Sequence, residues 1–212
     1  MTASTRTGMV RTYYGYNRNF TLFEEYFEVG GKREGPFTSY YEEGGLLITA
    51  NYINGKVDGE YREYYENGVL KEIFHYNAGK REGESLEYYD NGQLMRSIEY
   101  KQGKKEGQLK AYLGNGKLYS TYTYAGDEKH GEFKQYNHLT GCLCSVGYYV
   151  MGKLDGEYRE YYDNGIIKSI TNYKNHRQEG EYKEYRENGE LCLIGFYADD
   201  EFTVVSDKCN KP

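Results

Sequence analysis

Three groups of residues in this sequence carry functional groups at spacings that could do chemistry. The turn Gly79-Lys80-Arg81-Glu82-Gly83 and its relatives set a lysine beside glycine, as a phosphate-cradling loop does. His138, Cys142 and Cys144 lie close together and could contribute to a metal site. Glu60, Glu63 and Glu66 recur in copies along the chain and could supply a general acid and base. Each falls short on its own chemistry. A phosphate loop needs Ser or Thr after its lysine and a helix behind it; Arg81 follows Lys80, and no helical periodicity is found nearby. A structural zinc site wants four ligands at familiar spacings, and a Cys-x-Cys with one histidine is short of that. An active site is a single constellation in a pocket, whereas these carboxylates repeat regularly and read as a solvated face paired with Arg62, Arg159 and Lys183. The expectation is therefore no catalytic residue, no bound cofactor, no metal site and no enzymatic activity.

The recurrence itself is the informative signal. The glycine that opens GEYREYYENGVL recurs as Gly35, Gly59, Gly83, Gly107, Gly131, Gly156 and Gly180, at steps of 24 residues with one step of 25. The long step contains NHLTG, one residue more than the ENG of its neighbours. A worn copy, GMVRTYY, begins at Gly8. Each copy holds two strand-like runs and two turn signals. The first turn is Asn-Gly, as at Asn67-Gly68, Asn91-Gly92, Asn115-Gly116, Asn164-Gly165 and Asn188-Gly189. Asn-Gly predicts a two-residue type I′ hairpin.

A two-residue loop at Asn67-Gly68 sets Tyr65 opposite Leu70, Tyr61 opposite Phe74 and Gly59 opposite Tyr76. Alternation then gives one face of Tyr61, Tyr65, Leu70, Phe74 and Tyr76, the buried one, and another of Glu60, Arg62, Tyr64, Lys71, Ile73 and His75. A three-residue loop would change this parity. Gly59 opposite Tyr76 suggests a ring lying over bare backbone. The column Tyr40, Tyr64, Tyr88, Tyr112, Tyr136, Tyr161 and Tyr185 runs without exception along the polar face. Leu46, Leu70, Leu94, Leu118, Leu143, Ile167 and Leu191 form a further column. The tyrosine column is the candidate interaction ladder; its plainer reading is cross-strand structural pairing.

Composition agrees with strands and turns. Tyr is 28 and Gly 27 of 212 residues, yet the hydrophobic fraction is 38%, below the roughly 45–50% of an ordinary globular domain. An aromatic fraction of 17% argues against disorder. The net charge of −6 disfavours nucleic acid, whose phosphates need a basic surface. It also weakens a membrane-lipid reading, which stays behind a protein partner. No apolar run is long enough to span a bilayer, and MTASTRTGMV has no signal-like apolar region. A cytoplasmic or intracellular location follows as the expectation, with Cys142, Cys144, Cys192 and Cys209 as reduced thiols. The sequon Asn19-Phe20-Thr21 would then be idle.

The motif Gly59-Glu-Tyr-Arg-Glu-Tyr-Tyr-Glu-Asn-Gly68, followed by Tyr76 and a Gly-Lys-x-x-Gly turn, resembles the longer variant of the MORN-repeat family over about residues 8 to 200. The resemblance implies an all-β, elongated antiparallel meander of hairpins in a single twisted sheet, acting as an interaction module without shared catalytic residues. His176, where Gly79 stands in its copy, and the Gly126-Asp127 turn depart from the pattern. Residues 1–34 read as a degenerate capping repeat, 35–198 as the tandem array and 199–212 as a C-terminal strand and tail. Phe202 to Val205 is expected to form the last strand or to pair with a second copy or a partner. Asp199, Asp200 and Glu201 would guard it against indiscriminate stacking. The leading functional expectation is a non-enzymatic scaffold for protein–protein interaction, virion-associated if the source is viral. The alternatives are an antitoxin-like binder that masks one partner, and a lipid-headgroup or small-ligand binder using tyrosines and turn lysines. Homo-oligomers would form through the terminal strands.

Overall fold

The computed structural model describes residues 7–15, 21–199 and 201–209. The chain divides into two compact units, Met1–Lys104 and Lys105–Pro212. Among the described residues there is no helix. The first unit holds β1 (Gly8–Tyr14), β2 (Thr21–Val29), β3 (Lys32–Tyr40), β4 (Leu46–Ile53), β5 (Lys56–Val57), β6 (Gly59–Tyr64), β7 (Leu70–Asn77), β8 (Lys80–Tyr88) and β9 (Leu94–Lys101). The second holds β10 (Lys104–Tyr112), β11 (Leu118–Ala125), β12 (Glu128–Tyr136), β13 (Leu143–Val150), β14 (Lys153–Leu154), β15 (Gly156–Tyr161), β16 (Ile167–Lys174), β17 (Arg177–Gln178), β18 (Gly180–Tyr185), β19 (Leu191–Ala198) and β20 (Glu201–Asp207). Within each unit every strand pairs antiparallel with its sequence neighbour; β5 with β6, β14 with β15 and β17 with β18 are each two pieces of one interrupted strand. The tandem hairpins expected from the repeat are what forms.

The Asn-Gly turn differs from the expectation. The Gly68 N–H donates to the Tyr65 carbonyl at 2.9 Å, and the Tyr65 N–H to the Val69 carbonyl at 2.8 Å. Gly68 has φ 81°, while Asn67 is not among the positive-φ residues. This is a three-residue loop, a type I turn closed by a left-handed glycine. Asn67 accepts the Val69 N–H through Oδ1 at 3.0 Å, which ties it to a conformation that does not need positive φ. The register therefore shifts between Glu63 and Tyr64: Tyr64, not Tyr65, pairs with Leu70, and Lys71 is the extra residue. Beyond the bulge the expected pairs Tyr61 with Phe74 and Gly59 with Tyr76 are present.

The recurrent glycine also has another cause than a covering ring. A Cβ on Gly59 would meet nothing within 4 Å, but its φ is +90°. At the same place in the next copy, Gly83 has φ 80°, and Ile73 pairs with Leu86 while His75 pairs with Glu82. One residue on β7 thus faces three on β8. Glycine permits this wide bulge because it has no Cβ to clash at positive φ.

In each unit one face buries itself. Phe37, Phe74 and Ile98 lie within that of the first, Phe74 at 3% exposure, and Leu109 and Phe133 within that of the second. Tyr61 stacks on Phe74 at 4.6 Å and Tyr122 on Phe133 at 5.6 Å between ring centroids. Lids close the row from the strand that follows. Arg81 lies 4.0 Å over Phe74, Lys129 lies 3.9 Å over Tyr122, and Phe202 meets Tyr197 at 4.7 Å. Cation–π contacts of this kind contribute about 0.5–2 kcal/mol each. Small Ser85, Ser120, Ser145 and Ser169 fill positions on the same face.

The cysteine expectation is corrected in part. Cys192 and Cys209 form a disulfide, while Cys142 and Cys144 are free. The pairing follows from position. One period of 24 residues takes ladder tyrosine Tyr185 to Cys209, and Cys192 occupies the bulge place that Lys71 holds in its own copy. A strand and its neighbour thus bring the two sulfurs together. No helix of the described residues is long and apolar enough to cross a membrane. Asn19 of the sequon and Asp200 of the acidic cluster lie outside the described residues.

Candidate interaction surface

In each unit the opposite face carries its part of the tyrosine column. In the second unit the first strand of each copy projects three side chains onto it at period two: Glu132, Lys134 and Tyr136; Glu157, Arg159 and Tyr161; Glu181, Lys183 and Tyr185. Gln108, Lys110 and Tyr112 begin the series. Period two follows from strand alternation, so the motif Glu-x-Lys/Arg-x-Tyr is a statement about one face. Glu60, Arg62 and Tyr64 form the same trio in the first unit. Acid and base pair along the strand: Arg62 with Glu60 at 2.8 Å, Lys134 with Glu132 at 2.6 Å, Arg159 with Glu157 at 2.5 Å and Lys183 with Glu181 at 2.6 Å. Hydrogen bonds to these carboxylates raise the Lys134 and Lys183 pKa values. That of Arg159 is raised first by the Tyr161 hydroxyl and then by Glu157. Lys134, Arg159 and Lys183 therefore stay charged across the physiological range.

Every ladder tyrosine is half-buried, and each pairs across its hairpin with the leucine column, as Tyr136 does with Leu143 and Tyr161 with Ile167. Within each unit successive ladder tyrosines sit two strands apart, roughly 9.6 Å, beyond the 4.5–7 Å range of ring stacking. The column is thus an alternation of tyrosine and aliphatic side chains and not a stack of rings. Burial, then Glu25, raises the Tyr40 hydroxyl pKa. Two aromatic rings that sequence reasoning did not single out stand out on this face: Tyr148 is 47% and Phe196 48% exposed. They pair with Glu132 and Glu181 respectively. A shallow cleft of about 130 Å³ lies between Glu132, Val146, Tyr148, Glu157 and Arg159. Extending the Glu60–His75 pairing of the repeat to the later copies would have found both rings, because the bulge restores that register beyond the turn.

The Gly-Lys turns are occupied by their own chain. The Gly79 N–H donates to the Val57 carbonyl at 2.9 Å and Gly103 to that of Arg81 at 2.8 Å. Carboxylates already accept the neighbouring amides, Asp58 from Ala78 and Glu82 from Gln102, each at 2.8 Å. The Lys56 stem packs on Gly79, whose added Cβ would lie 3.5 Å away. These amides therefore stack one turn on the next and have none to spare for a phosphate. Among the described residues no group of three His, Cys, Asp or Glu is arranged to hold a metal ion. Burial raises the Cys144 thiol pKa, which disfavours a reactive thiolate.

A family profile described as MORN repeat variant matches residues 33–54, 57–78, 81–102, 154–175 and 178–199. No curated protein matches the chain. Among solved structures, a chain of the crystal structure of TcdB2-TccC3-Cdc42 aligns with 93% of this chain at 12% identity and a TM-score of 0.23. The alignment spans only 13% of that chain. A porin-like protein from Bacteroides uniformis aligns with 93% of both chains at 8% identity and a TM-score of 0.21. Likenesses this slight carry no weight for fold or function.

Proposed function

The chain belongs to the MORN repeat variant family, and we propose that within it this protein is a non-enzymatic scaffold that docks a protein partner along the Glu-x-Lys/Arg-x-Tyr face of its second unit. Repeats of this family generally serve as interaction scaffolds for proteins or lipids and are generally not enzymes. One observation carries the choice of surface. The same acid, cation and tyrosine recur in register on one face, beside exposed Tyr148 and Phe196, while the other face is filled by its own aromatic rows. Tyrosine and arginine dominate binding energy at protein interfaces because they bring large area with few rotors and a polar tip. A lipid headgroup reading is weaker here, since Lys134, Arg159 and Lys183 are already paired with carboxylates.

The test is a photo-crosslinking residue placed at Tyr148 in the native host. The expected result is one discrete protein adduct, reduced roughly 30-fold by Arg159→Ser with Tyr161→Ser, the effect of losing a hot spot of ~2 kcal/mol or more. A diffuse adduct pattern, unchanged by those substitutions, would remove the strip from consideration. A masking role of the antitoxin-like kind would abolish the captured partner's own activity at one-to-one ratio; a scaffold leaves that activity intact.

A further inference from the structure

Among the described residues β20 is an edge strand with a finish unsuited to facing solvent. Among the described residues β20 pairs only with β19, so its outer side presents backbone N–H and C=O groups in a row. Proteins usually blunt such an edge with charge, proline or a bulge. In β20 the charges stand only at the ends, Glu201 and Asp207, with Asp199 just before. The middle is apolar and open: Phe202 is 39%, Val204 53% and Val205 64% exposed. Its one bulge falls at Val205, which is skipped in the pairing with β19.

The edge is also held in shape. The Cys192–Cys209 disulfide ties its far end to β19. The Lys208 N–H donates to the Cys192 carbonyl at 2.6 Å, and Arg186 Nη2 to the Lys208 carbonyl at 2.6 Å. The Phe202 ring fills the space over Gly195, where any Cβ would clash with it. A strand ordered in advance spares a partner the entropy of ordering it.

A second copy is a poor occupant. Antiparallel pairing of two β20 strands about Val204 sets Glu201 of each opposite Asp207 of the other, and like charges directly opposite destabilise a ladder. The same acids favour the reverse polarity. We propose that the free edge of β20 receives an extended segment of another protein, apolar at its centre and carrying Lys or Arg at both ends, as an added antiparallel strand. This edge is distinct from the tyrosine strip and stands or falls separately from it.

The probe is a short fluorescein-labelled peptide with alternating valine and threonine at its centre and two lysines at each end, titrated against the full disulfide-bonded chain. The control peptide carries glutamates at its ends. Fluorescence anisotropy at low salt should show the lysine peptide binding at least about tenfold tighter, the gap closing as salt is added. Glu201→Lys should narrow that preference. Val205→Lys, at a position off the β19 register, should weaken binding while the disulfide still forms. Arg159→Ser with Tyr161→Ser should leave peptide binding unchanged. Equal binding of both peptides, or binding of neither, overturns the proposal. So does a concentration-dependent dimer that Val205→Lys abolishes, because the occupant would then be a second copy.

Discussion

The Tyr65 hydroxyl donates a 2.8 Å hydrogen bond to the backbone carbonyl of Tyr88, 23 residues further on in the next copy. Tyr41 does the same to Tyr64 at 2.6 Å and Tyr162 to Tyr185 at 2.8 Å. In the last copy Arg186 takes the tyrosine's place and reaches the Lys208 carbonyl. Tyr41, Tyr65 and Tyr162, each the second of a Tyr-Tyr pair, are thus struts between copies, while Tyr40, Tyr64 and Tyr161 before them belong to the outward strip.

Tyr65→Phe should therefore lower stability by about 0.5–1.5 kcal/mol, the net worth of one such bond. The Tyr64→Phe substitution next to it should cost less. Urea unfolding of both variants, compared at equal m-value, checks the assignment. Equal losses would show that the strut contributes nothing beyond ring packing.

Two glycines should fail for opposite reasons. Gly59→Ala meets no neighbour but must hold φ near +90°, a strain of about 1–2 kcal/mol for a residue with a Cβ. Gly147→Ala has ordinary φ, but its Cβ would lie 2.7 Å from Phe133, an overpacking cost of ~1–3 kcal/mol. Phe133→Leu should relieve the second and leave the first untouched. Thermal melts of the two double variants decide the point.

Burial holds the Glu72 carboxyl above the usual carboxylate range, with Glu87 adding to it and Arg81 opposing. A carboxyl whose folded pKa is raised contributes stability below its unfolded pKa and loses it as pH rises through the folded value. Glu72→Gln should accordingly raise Tm at neutral pH, and the gain should vanish below about pH 4. A variant less stable than the parent at neutral pH would mean that the Arg81 pairing outweighs desolvation.

Tyr61 and Tyr182 are pushed up to about 12, chiefly by burial. The unfolded hydroxyls ionise near 10. Stability from these rings is therefore fully present below about pH 10 and is lost as pH rises towards 12. Tyrosinate absorbance should show a late, cooperative fraction that coincides with unfolding by circular dichroism. Tyr61→Phe should shrink that fraction.

Cys192→Ser with Cys209→Ser opens a loop with a sequence separation of 17 residues, which removes about 3 kcal/mol in the chain-entropy account. The loss should localise to β19 and β20. Hydrogen exchange should quicken at Leu193 to Tyr197, and protection of β11 to β13 should persist, because each hairpin touches only its neighbours.

Much of this molecule is determined by the order of its residues alone. The glycine period and the Tyr61–Phe74 pair follow from strand alternation and a local turn, both set within a dozen or so residues. So does the recurrence of the outward Glu-x-Lys/Arg-x-Tyr trio. Phe202 to Val205 as the last strand is legible for the same reason. Other features depended on long-range geometry. Asn67 has one glycine neighbour whether its loop holds two residues or three; only the closed hairpin decides, and with it the partner of Tyr64. The strut from Tyr65 to Tyr88 and the union of Cys192 with Cys209 join residues a whole copy or most of one apart. Their distance is set by the lateral strand spacing, which no local pattern of residues encodes.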